Sequence, residues 1–114
     1  MPGSAATGGA GRWPGRPAGW SSSRPASMAA VLAAAGHPAR LRILQLLVRG
    51  PRPAAELQTE LSPASQGQLY HHLKTLSSAG LVEQPERGVY RVPPSAIFPV
   101  LAMIAAATDV VHPR

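Results

Sequence analysis

From Met28 onward the apolar positions recur with the period of an α-helix, interrupted at intervals by glycine and proline. Met28, Val31, Leu32 and Ala35 form a stripe that predicts a first helix over Met28–Ala35, with Ser27 as its cap and Gly36 as its stop. His37-Pro38 opens a second helix, with proline at the first helical position, where its missing N–H costs nothing. Leu41, Leu44 and Val48 make one line along it, with Ile43 and Leu47 beside them, and Gly50 ends it. Arg40, Arg42 and Arg49 fall on the outer side and are expected in solvent. Pro51 and Pro53 leave little room for a strand. Pro53–Leu61 reads as a two-turn helix with Leu57 and Leu61 turned inward and Glu56 and Glu60 outward.

The next stretch, Leu61–Val82, carries the strongest pattern. Ser62-Pro63-Ala64 makes a turn, and Ser65-x-x-Gln68 matches a capping box, in which hydroxyl and amide satisfy free backbone donors. Leu69, Leu73 and Leu76 stand at i, i+4 and i+7 on one face, while Gln66, Gln68, Tyr70, His71 and Lys74 occupy the other. That outer face offers amides, a phenol, an imidazole and a cation, and no acid. A donor-rich helix behind a short one fits the reading helix of a helix-turn-helix DNA binder. Gly80 suits the left-handed position that closes the helix.

Val82–Pro85 and Val89–Val92 flank Glu86-Arg87-Gly88 as two short strands around a glycine turn, a hairpin or wing. After Pro93-Pro94, Ser95 is placed to cap a last helix reaching about Val111. Ile97, Phe98, Val100, Leu101, Met103 and Ile104 surround nearly the whole of that helix, more than one core can bury, so a second chain is expected against it. The fold class that follows is mainly α with a small β-hairpin wing: a winged helix-turn-helix.

A chain of 114 residues allows one domain. Its net charge of +6 points to a polyanionic partner, but Arg12, Arg16 and Arg24 lie in an N-terminal segment without acids. Eight cations against five acids leave about +3 on the remainder, a modest basic signal. Residues 1–26, rich in Gly, Pro, Ala, Ser and Arg, lack apolar periodicity and are expected to be a disordered tail preceding a domain over 27–114. Trp13 and Trp20 in that tail have the chemistry to stack on bases or enter a lipid interface. A passive leader before a start at Met28 is the plainer expectation. The absence of cysteine excludes disulfides and thiolate sites. No apolar run is expected to approach the ~18 residues of a membrane span, and no signal-peptide core is visible, so a cytosolic location is expected. No nucleophile–base–orienter set or phosphate-cradling loop appears, so neither catalytic residues nor cofactors are assigned.

At the level of residues the chain resembles the ArsR-type transcriptional regulators over about 28–108. GHPARLRILQLL (Gly36–Leu47) is similar to their second helix, and AAELQTEL (Ala54–Leu61) to their support helix. SQGQLYHHLKTLSSAGLV (Ser65–Val82) follows their pattern S-Q-x-x-V-S-x-H-L-x-x-L-x-x-A-G-L-V, the most specific of the three matches. The resemblance implies a prokaryotic, nucleoid-associated homodimer joined through its first and last helices, with Met28, Val31, Leu32, Ile97, Val100, Leu101 and Ile104 at the interface. It also implies binding to double-stranded DNA, usually to repress transcription until an effector acts.

On that reading Ser65, Gln66, Gln68 and Tyr70 approach the major groove, where a Gln amide can pair bidentately with adenine. Tyr70, His71 and Lys74 reach phosphates, Arg87 sits at the wing tip with Arg91 behind it, and His72 belongs to the packing. Two reading helices roughly 34 Å apart would demand a near-palindromic operator. The family's metal-sensing Cys-x-Cys pair is missing, its positions falling within Leu57-Gln58-Thr59. Asp109 and His112, placed to share a helix face, are too few for a tetrahedral metal. A winged-helix module for protein interaction, without specific DNA binding, is the alternative. The effector is not specified.

Overall fold

The computed structural model describes residues 24–113. The expected tail, with Arg12, Arg16, Trp13 and Trp20, lies outside the described residues except at its last three positions. Helix α1 spans Pro25–Ala35 and starts earlier than expected. Pro25 takes the first helical position after an extended Arg24, so Ser27 lies inside the helix and caps nothing. Helix α2 (Pro38–Leu47) begins as predicted, and the His37 ring adds a cap by accepting the Ala39 N–H. Helices α3 (Ala54–Glu60) and α4 (Gln66–Ser78) form the helix-turn-helix.

Their shared core is built from the leucine lines. Ile43, Leu44, Leu57 and Leu76 are fully buried and Leu69 and Leu73 nearly so, each side chain contributing about 2 kcal/mol through removal from water. Leu46 joins them, whereas Leu41, Val48 and Leu61 are only half-buried.

The Pro51–Pro53 connection is a correction. Arg52–Pro53 is a short strand, β1, which pairs antiparallel with β3 (Val89–Arg91), and β3 pairs with β2 (Glu83–Glu86), giving the order β1-β3-β2. Proline is tolerated because β1 is an edge, where no ladder donor is needed on its outer side. Arg52 faces Tyr90 and Pro53 faces Val89, and the next residue, Ala54, donates its N–H to the Gly88 carbonyl at 2.9 Å. The wing is thereby tied to the start of α3. Pairing of β2 with β3 shifts register between Glu83 and Glu86, an irregularity that falls on Gln84-Pro85.

Helix α5 spans Pro94–Val111. Pro93 precedes it and Pro94 takes the first turn, so Ser95 is internal and is not the cap. Three further expectations change here. With 18 residues and a mean hydropathy of 1.7, α5 is long and apolar enough to cross a membrane by length and composition. The expectation that no such run exists therefore fails, because Ala105–Ala107, Val110 and Val111 carry the apolar stretch on beyond the large side chains. Val100 is fully buried in the chain's own core and is not available to a partner. Phe98, absent from the expected interface, is 79% exposed instead. His112 ends the helix in a non-helical conformation, so it does not share a helical face with Asp109.

Candidate nucleic-acid interface

Helix α4 is seated by its leucines and finished at both ends. Ser65 Oγ accepts the Gln68 N–H at 3.1 Å while Gln68 Oε1 accepts the Ser65 N–H at 2.8 Å, completing the capping box. At the far end Leu81 N–H donates to Leu76 and Gly80 N–H to Ser77, with Gly80 at φ 79°. That closure needs the left-handed region, which glycine enters without penalty. In front of α4, Gln58 reaches from α3 and donates its amide to the Ala64 carbonyl, holding the turn that leads into the cap. Its own Oε1 is buried without a hydrogen-bond partner among the described residues.

The expected contact residues divide into free and occupied. Gln66, His71, Lys74 and the 43%-exposed Tyr70 stand on the surface of α4, with Arg87 exposed at the wing tip. Ser65 and Gln68 are committed to the capping box, and Arg91 is held by Glu83 at 2.6 Å. Tyr90 of β3 is buried, and burial, followed by the neighbouring Tyr70, pushes its phenol above the ordinary range. Tyr90 thus stays a neutral hydroxyl against the reading helix.

One role was not legible in the local sequence. Arg40, expected in solvent, donates Nε–H to the Ala34 carbonyl at 2.6 Å and lies 3.2 Å from His72 Nδ1. It closes the C-terminus of α1, where a cation is favoured by the helix dipole. No spacing rule links it to a carbonyl six residues away. His72 is half-buried as expected, while His71 is exposed. Burial, then His37, Arg40 and His71, lowers the His72 pKa, so its ring is held neutral. Arg42 pairs with Glu60 and Arg52 with Glu56, on exposed or half-exposed surface.

A helix-turn-helix domain family matches residues 35–85, from the end of α1 to the first wing strand. Among solved structures, Rv0081 of Mycobacterium tuberculosis is 30% identical, with 78% of this chain and 94% of that one aligned at a TM-score of 0.65. An ArsR-like transcriptional regulator from Rhodococcus sp. RHA1 is 33% identical, over 74% of this chain and 84% of that one, at a TM-score of 0.54. The chain belongs to the ArsR-like transcriptional regulators. The homodimeric winged helix-turn-helix DNA-binding domain from Mycobacterium bovis, described as a possible ArsR-family regulator, is 27% identical over 78% of this chain and 83% of that one, with a TM-score of 0.65. No curated protein matches the sequence. In this ArsR-like regulator α3 and α4 are the helix-turn-helix and β2–β3 the wing, and the fold is that of a DNA-binding regulator of transcription.

Proposed function

We propose that this ArsR-like regulator is a dimeric repressor that reads a near-palindromic operator through α4 and its wing. The observation that carries the reading is the acid-free outer face of α4. Gln66, Tyr70, His71 and Lys74 are exposed there without a side-chain hydrogen bond or ion pair among the described residues, and Arg87 is exposed at the wing tip. Gln66 is the base-reading amide. Lys74, Tyr70 and His71 bind phosphates, and Arg87 enters the minor groove or its phosphate wall. Ser65, Gln68 and Arg91 act mainly as supports, since each is already engaged.

The dimer joins α1 to α5. Met28 and Leu32 on α1, half or more exposed, and Phe98 and Leu101 on α5 form the apolar contact, with Val31, Ile97 and Ile104 at its inner edge. Support comes from the homodimeric mycobacterial domain of the same fold. A second copy also accounts for the apolar length of α5 without a bilayer. The test is sedimentation of the purified chain without detergent, followed by footprinting on its own promoter. A dimer protecting two half-sites about one helical turn apart supports the reading. A monomer that binds no duplex overturns it in favour of a protein-interaction module, and partition into vesicles would assign α5 to a membrane.

A further inference from the structure

A helix with its side chains is about 10–12 Å across and the major groove is about 12 Å wide, so the flanks of α4 must meet the sugar-phosphate walls. The two flanks differ. On the side of α3 the groove beside α4 is lined by Ala54, Ala55, Gln58, Gln66, Leu69 and Tyr70, with no imidazole or cation among them. On the side of α2 it is lined by His37, Arg40, Ser65, Gly67, His71 and His72. Neither of the helices that wall this second groove, α2 and α4, contains an Asp or Glu, and none of the residues lining it is acidic.

The hydrogen bonds around the groove fix the tautomers of two imidazoles. His37 Nδ1 accepts the Ala39 N–H at 3.1 Å. His72 Nδ1 lies 3.2 Å from an Arg40 guanidinium nitrogen, a group that can only donate, so this Nδ1 is the acceptor. A neutral imidazole whose Nδ1 accepts carries its proton on Nε2. The ring centroids lie 4.6 Å apart, both residues line the groove, and neither Nε2 has an acceptor among the described residues. The mouth of the groove is open at Gly67, where an added Cβ would meet nothing nearer than Ser65 Oγ at 3.9 Å. Adjacent N–H donors, a guanidinium, a bare backbone rim and no carboxylate make a seat for a tetrahedral oxyanion.

We propose that this groove seats a backbone phosphate of the bound DNA, whose oxygens accept the Nε2–H groups of His37 and His72. The assignment rests on the DNA-binding reading above, and adds α2 to the elements that touch DNA. Because both imidazoles donate while neutral, the contact orients the phosphate without neutralising it. It therefore contributes affinity but no counterion release, unlike Lys74 and Arg87.

The test uses the full chain, a duplex from its own promoter and an unrelated duplex, at slightly alkaline pH. His37→Asn keeps an acceptor for the Ala39 N–H and removes the Nε2 donor, and the melting temperature checks that the fold survives. The expected result is a loss of about tenfold on both duplexes, with the slope of log affinity against log salt unchanged. Arg87→Ala, run beside it, lowers that slope by about one. Nitrogen-detected spectra of the wild type should show Nε2–H tautomers at His37 and His72 whose signals move when duplex is added. Wild-type binding that responds to Arg87→Ala but not to His37→Asn, with both imidazole signals still, overturns this inference alone. Absence of wild-type binding to either duplex overturns the DNA-binding reading as well. Signals that move with inorganic phosphate but not with duplex overturn the assignment to DNA.

Discussion

Helix α4 is amphipathic and α5 is apolar almost all round, and only the first is complete within its own chain. Every apolar residue of the α4 spine, Leu69, Leu73 and Leu76, is buried at 1% exposure or less, and both ends of the helix are closed by hydrogen bonds. In α5 only Val100 reaches that depth, while Phe98, Leu101, Val110 and Val111 remain in solvent. A spine of three side chains at i, i+4 and i+7 fits one core, whereas apolar residues around a whole circumference cannot. The difference separates what a single chain buries in folding from what it leaves exposed.

The comparison can be broken at its strongest point by Leu73→Ala, which removes a fully packed side chain and should lower unfolding free energy by about 3 kcal/mol in a denaturant titration. An equal loss from Phe98→Ala in a chain kept monomeric would mean that α5 is packed within the monomer after all. Next in size, Phe98→Glu with Leu101→Glu should convert dimer to monomer by sedimentation, weakening association by roughly 2 kcal/mol or more, while far-UV dichroism stays unchanged.

Ser65→Ala tests whether the end of α4 is closed as described. Loss of the cap should cost about 1 kcal/mol, and the effect should appear as fraying of the first turn in hydrogen exchange.

The smallest effect concerns pH. The folded state holds His72 below its ordinary value of 6.5, so near that value it binds fewer protons than the unfolded chain. The stability from a neutral His72 is complete above that value and declines as pH falls toward the lower folded pKa. A modest drop in melting temperature on acidification, reduced in His72→Gln, is the expected outcome.

Periodicity and local chemistry determined most of the architecture. The leucine spine, the Ser65–Gln68 box, the glycine at position 80 and the turn at Gly88 depend on neighbours within a few residues, and such short-range rules apply wherever the chain is folded. The same rules located the outer face of α4 and the wing tip. Tertiary structure alone decided which polar groups were spent. Arg40 closes α1, Arg91 is held across the hairpin by Glu83, and Val100 turns inward while Phe98 turns out. It also turned a proline-flanked connection into strand β1, because pairing with β3 supplies what the dipeptide lacks by itself. In each case the deciding partner comes from a different element. A sequence pattern records what a residue can offer, and only the packed chain determines what is brought near enough to take it.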